Sequence, residues 1–126
     1  MGIFNRLNWL VWRRPQLKKK NSIADWKSYV CPISTLQGYN KIVGGSNVSN
    51  SQIGKYTYLA GCKVGSSVIG AFCSIGPRVV IGGLGIHPSD WLSTHPAFYS
   101  TRMQVGGTFV LQNKFDEFKQ TKIGND

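Results

Sequence analysis

Apolar residues in the middle of the chain recur at a six-residue interval, which fits neither a helix nor an alternating strand. Ile69-Gly70-Ala71-Phe72-Cys73-Ser74 runs without a gap into Ile75-Gly76-Pro77-Arg78-Val79-Val80 and on to Ile81-Gly82. A hexapeptide period predicts short flat strands wound as coils, three hexads per turn, with each aliphatic stacking on its equivalent one coil along. The pattern extends upstream through Ile53-Gly54, Leu59-Ala60 and Val64-Gly65, with spacings of 6, 5, 5, 6 and 6. A small or β-branched residue four places after the leading aliphatic (Thr57, Val68, Cys73, Val79) is expected to face a narrow interior, a rule that Lys63 breaks. The two five-residue steps predict a bulge or shortened corner between Cys62 and Ser67, since a lost residue otherwise turns later side chains to the wrong face.

Two stretches depart from this period. Near the start, Ile3, Phe4, Leu7, Leu10 and Val11 fall at helical spacing with Trp9 and Trp12 beside them, predicting an amphipathic helix over 3–14 that Pro15 ends. Residues 21–42 lead into the first coil without a recognisable motif, so the sequence divides into a lead-in, 1–41, and a coil domain, 42–126. After Ile81 the repeat stops, and it resumes at Ile123-Gly124-Asn125-Asp126. The interval, about 84–122, reads as a loop that leaves and rejoins the stack, with a helical turn expected at 114–119; inserted loops of solenoids often carry binding function. Because the last four residues begin a hexad, further coils or a second chain are expected over that edge.

Charge changes the picture only locally. The chain carries +10 over 126 residues, but Arg6, Arg13, Arg14, Lys18, Lys19 and Lys20 supply much of it, with no acid among the first twenty residues. The rest carries an ordinary mild excess of base, which gives no nucleic-acid groove, so no nucleic-acid partner is expected. The basic helix has two readings: contact with an anionic membrane surface through residues 3–20, or packing against the coils or a neighbouring subunit. Cys31, Cys62 and Cys73 are odd in number and lack CxxC spacing, so they read as small buried residues of a reducing compartment. With neither a membrane span nor a secretion signal, the expected location is the cytoplasm, extended to the inner face of the membrane if the helix meets lipid.

Both histidines, His87 and His95, lie in the loop, beside Asp90, Trp91, Ser93 and Thr94. A neutral imidazole is the side chain best matched to taking a proton from a hydroxyl at neutral pH. His87, directly after the glycine-rich turn, is the better candidate, and Asp90 either orients it or caps a turn. Ser89 and Ser93 lack the setting of a serine nucleophile. Two histidines without a third nitrogen ligand leave a zinc site incomplete, so no metal is expected; a zinc hydratase would need that third ligand.

These residues resemble a family, the hexapeptide-repeat acyltransferases, in the branch of xenobiotic acetyltransferases and surface-polysaccharide O-acetyltransferases. The resemblance rests on Ile69 to Gly76, on His87 followed by Asp90-Trp91, on Ser93-Thr94, on Pro96 with Phe98, and on the return at Ile123. It implies an all-β fold, a left-handed parallel β-helix, and a homotrimer with active sites between subunits. It also implies acetyl-CoA as co-substrate, His87 as general base on an acceptor hydroxyl, and Asp90, Trp91 and His95 as orienting or substrate-binding residues. The acceptor expected is a sugar of a polysaccharide precursor, with a small xenobiotic alcohol as the alternative. Members of the family continue for several coils beyond the match to Asp126, and those coils supply much of the acetyl-CoA groove. Against them this chain reads as a truncated form, and an inactive coil remnant that only associates with other chains or membrane is the competing expectation.

Overall fold

In the computed structural model, which describes residues 3–126, the hexads form a parallel β-solenoid. Twelve short strands follow one another: β1 (Ile23–Ala24), β2 (Tyr29–Val30), β3 (Thr35–Leu36), β4 (Lys41–Val43), β5 (Asn47–Ser49), β6 (Gln52–Ile53), β7 (Tyr58–Ala60), β8 (Lys63–Gly65), β9 (Ser67–Ile69), β10 (Ser74–Ile75), β11 (Val80–Ile81) and β12 (Thr121–Ile123). Every third strand stacks in register, giving sheets β1-β4-β7-β10, β11-β8-β5-β2 and β12-β9-β6-β3. The inward columns are Ala24, Ile42, Leu59 and Ile75; Val30, Val48, Val64 and Ile81; and Leu36, Ile53, Ile69 and Ile123. All of these except Ile123 are buried. An aliphatic side chain so enclosed contributes about 1.5–3 kcal/mol.

The coil begins one turn earlier than the Ile-Gly pairs predict, since the lead-in residues 22–37 already supply β1 to β3. The small interior residue also follows a different rule. It stands two places before the inward aliphatic of each strand from β1 to β10, as Ser22, Ser28, Ser34, Asn40, Ser46, Ser51, Thr57, Cys62, Ser67 and Cys73, all buried, whereas Val79, expected inside, is exposed at the corner before Ile81. The five-residue steps are therefore absorbed before this position: Cys62 and Ser67 turn inward, while Lys63 is exposed and Val68 only half-buried. Cys31, by contrast, sits half-buried at a corner, where its Sγ accepts from Asn50 N at 3.5 Å.

These small residues tie one coil to the next. Asn40 N donates to Ser22 Oγ (3.1 Å), Ser46 N to Ser28 Oγ (3.0 Å), Ser51 N to Ser34 Oγ (3.2 Å), Cys62 N to Ser46 Oγ (3.3 Å), Ser67 N to Ser51 Oγ (3.1 Å) and Cys73 N to Thr57 Oγ1 (3.2 Å). Corner amides that the strand ladders leave unpaired are thus satisfied by the hydroxyl one coil below. The glycines after Ile53 and Ile69 have a steric cause. A Cβ on Gly54 would lie 2.3 Å from the Gly70 carbonyl carbon, and one on Gly70 would lie 2.5 Å from Gly124. At the adjoining corner Tyr39, Tyr56 and Phe72 hold φ of 55°, 60° and 65°. Their rings stack on one another at 4.7 and 5.2 Å between centroids.

The N-terminal segment is α1 (Ile3–Asn8), a π-helical stretch (Trp9–Arg13), α2 (Arg14–Leu17) and a 3-10 turn (Lys18–Lys20). Pro15 does not end the helix as the sequence suggests. Arg14 N bonds to Trp9 O, five residues back. This widened turn accommodates a residue that has no N–H and crowds the preceding turn. The inward side places Trp9 and Leu17 in one apolar cluster with Ala24, Val30 and Leu36. Its basic residues satisfy carbonyls of the first coil. Arg14 Nε donates to Ala24 O (2.8 Å), Arg13 to Ser34 O (2.8 Å), Lys20 Nζ to Leu36 O (3.1 Å), and Arg6 to Trp26 O. Four of the six basic residues thus cover carbonyls of the first coil that would otherwise be bare acceptors. No helix among the described residues is long and apolar enough to cross a membrane.

Candidate functional site

The chain leaves the coil after β11 and rejoins it at β12, and residues 84–119 between them form a second compact unit. Non-periodic sequence here folds around a few large side chains. Tyr99 is fully enclosed, its ring meeting Trp91 edge-on at 6.3 Å and Phe115 at 5.6 Å, and Trp91 meets Phe115 at 6.1 Å. Ala97 and Val110 are buried as well. The segment 114–119 holds no helical turn and no strand; among the described residues of the loop the helical turn is a 3-10 turn at Pro96–Phe98.

A buried carboxylate organises the other end of the loop. Glu117 is 5 % exposed. Its Oε1 accepts from Ser100 Oγ (2.7 Å) and pairs with Arg102 Nε (3.1 Å), while its Oε2 accepts from Gln104 Nε2 (2.8 Å). A buried carboxylate is tolerable only with such company. Arg102 also lies over the Phe118 ring at 4.2 Å.

His87 is exposed. Its Nδ1 lies 3.1 Å from Thr94 O and 2.7 Å from Tyr99 Oη. The carbonyl can only accept, so it favours the tautomer with the proton on Nδ1 and the lone pair on Nε2, while the Tyr99 hydroxyl, which can donate or accept, fits either tautomer. Burial, and then the negative charge of Glu117, push the Tyr99 hydroxyl above its ordinary pKa, so Tyr99 stays neutral across the physiological range.

His95 has the opposite arrangement. Its Nδ1 accepts from Ala97 N (3.3 Å), capping the 3-10 turn, so its ring proton belongs on Nε2. Asp90, expected to orient His87 or to cap a turn, is exposed and takes no part in the hydrogen bonds to His87 among the described residues. The orienting groups are Thr94 O and Tyr99. Trp91 is 38 % exposed and packs on the loop aromatics. The sequence singled out His87, but not its partner Tyr99 or the buried Glu117. The only sequence signal for Glu117 was an acidic pair, Asp116-Glu117, flanked by Phe115 and Phe118. Among the described residues no three His, Cys, Asp or Glu side chains gather as a metal site would need.

Comparison of the chain with family models, with curated proteins and with solved structures gave no match.

Proposed function

We propose that this protein is an O-acetyltransferase that moves the acetyl group of acetyl-CoA to a hydroxyl of a sugar in a polysaccharide precursor. The observation that carries this reading is the imidazole of His87: exposed, and held at Nδ1 by Thr94 O and Tyr99 Oη, an arrangement that leaves the lone pair on Nε2 when Nδ1 donates to the carbonyl. That is the state a general base requires, because Nε2 can take a proton only if Nδ1 keeps its own. The coil supports the reading too, through the resemblance of its hexads and of the His87 to Thr94 segment to hexapeptide-repeat acyltransferases.

In the proposed reaction Nε2 removes the proton of the acceptor hydroxyl as its oxygen attacks the thioester carbonyl carbon. A C–O bond forms, the C–S bond breaks, and the departing thiolate takes the proton back from the imidazolium, leaving ester and CoA. Tyr99 and Thr94 hold the ring through both transfers, and Trp91 offers an exposed aromatic surface to the acceptor. The working unit in this proposal is a homotrimer of left-handed coils in the cytoplasm, and a lipid-linked acceptor would bring it to the inner face of the membrane.

Purified protein is incubated with acetyl-CoA and either sugar acceptors or small alcohols, and free CoA thiol is measured. Sugar-dependent release is expected, falling about 10²–10⁴-fold in His87→Ala. Release that His87→Ala leaves unchanged removes this residue as the base, and the absence of saturable acetyl-CoA binding by calorimetry leaves a coil that only associates with other chains. Release with small alcohols alone assigns the acceptor to that class.

A further inference from the structure

The N-terminal segment has a second apolar face that the coil leaves uncovered. Trp9 and Leu17 point into the coil, while Phe4, Leu7 and Val11, at i, i+3 and i+7, lie on the outer side with Trp12 beside them. Phe4 is 87 % exposed and Trp12 69 %. The side chain of Ile3, expected in the same stripe, is outside those described. Lys18 and Lys19 follow at the C-terminal end of the segment, exposed and without a partner among the described residues. Arg6, Arg13 and Lys20 are committed to coil carbonyls, so the outward charge rests on these two lysines and on the part of the Arg14 guanidinium not bonded to Ala24 O. A cleft of about 190 Å³ opens between the segment and the first strand, walled by Leu10, Pro15 and Ile23 and carrying Arg14 and Lys18. Arg14 spends its Nε on Ala24 O, one of the five donors of a guanidinium.

We propose that this face docks on the surface of an anionic bilayer, with Phe4, Leu7, Val11 and Trp12 entering the headgroup boundary and Lys18, Lys19 and Arg14 meeting lipid phosphates. Charge decides the occupant. The segment has no acid in its first twenty residues, so a second copy of the same face would bring like charges together, whereas an anionic lipid surface neutralises them. The mixture of exposed aromatic and aliphatic side chains beside lysines is that of helices lying in an interface rather than crossing it. The surface does not depend on the acetyl-transfer reading.

Vesicles of phosphatidylcholine with one third phosphatidylglycerol, and vesicles of phosphatidylcholine alone, are used to co-sediment the full chain. Binding to the anionic vesicles is expected to exceed binding to the neutral ones, and to fall about fivefold for each of Lys18→Gln and Lys19→Gln, the factor given by about 1 kcal/mol per surface lysine. Phe4→Ser with Val11→Ser should abolish binding, while the thermal midpoint stays at that of the wild type because both side chains are exposed. Equal, weak sedimentation with both vesicle types overturns the proposal. So does self-association in the absence of lipid that Phe4→Ser with Val11→Ser abolishes, which would give the face to a second copy.

Discussion

Replacing Thr57 by valine separates the two roles of the small residue at a coil corner, volume and hydrogen bonding. Thr57 is fully enclosed; its Oγ1 donates to Gly70 O at 2.7 Å and accepts from Cys73 N at 3.2 Å. Valine keeps the volume and removes both bonds. An orphaned buried amide costs about 1–3 kcal/mol and the lost bond to Gly70 about 0.5–1.5 kcal/mol. The added methyl returns about 0.8 kcal/mol. The net loss centres near 2 kcal/mol, or roughly 8 °C in Tm at ~4 °C per kcal/mol for a domain of this size. Serine keeps both bonds and gives up one buried methyl, about 1 kcal/mol or half that shift. Thermal and urea unfolding followed by circular dichroism should therefore order the proteins as wild type, Thr57→Ser, Thr57→Val. If valine matches the wild type while serine falls below it, the corner needs only a filled volume and the hydroxyl column carries no stability.

Trp9→Ala is expected to cost about 3 kcal/mol, the low end for a buried tryptophan because its Nε1 has no partner among the described residues; the urea midpoint should fall accordingly, and an unchanged midpoint would mean the helix does not close the coil. The two histidines should carry their neutral-state protons on different atoms, Nδ1 in His87 and Nε2 in His95, as ring ¹⁵N shifts at alkaline pH would register; matching tautomers would contradict the site geometry. Burial alone would raise the Asp25 pKa, but bonds from Ser28 and from Gly44 N hold it below the usual 3.8. The carboxylate thus contributes stability that is fully present above pH 3.8 and is lost as pH falls through its lower folded value. Asp25→Asn should flatten that part of the acid limb of the unfolding curve, and an unaltered limb would count against the assignment.

The hexads from Ile53 to Ile81 announced the solenoid because glycine follows each isoleucine. At Gly54 and Gly70 that requirement is now explained by the backbone of the next coil, 2.3–2.5 Å from where a Cβ would stand. The first coil was hidden by the same habit of reading: Ala24, Val30, Leu36, Ile42 and Val48 are strictly six apart, but no glycine follows them. The serine two places earlier was the better marker, since it faces the interior in coil after coil whatever the corner length. Helix termination at Pro15 was expected from the missing N–H alone, whereas the π turn before it, with Arg14 N on Trp9 O, accommodates the ring and lets the segment run on to Leu17, which packs with Trp9 in the coil's apolar cluster. In the loop, His87 stood out by residue type and by its place directly after the glycine-rich turn. Tyr99 and Glu117 acquire their roles only when residues far apart in the chain, such as Ser100 and Glu117, fold together, and no periodicity marks such a meeting.

The interruption between β11 and β12 has a further consequence. Both ends of the excursion are anchored by ladders to β8 and β9 of the coil beneath. The closure entropy of such an insert rises only as the logarithm of its length, so residues can be added or removed there at a cost of a few tenths of a kcal/mol while the anchoring ladders remain. The last turn thus behaves as a socket for interchangeable cassettes, in which chemistry can be rewritten without renegotiating the stack that carries it.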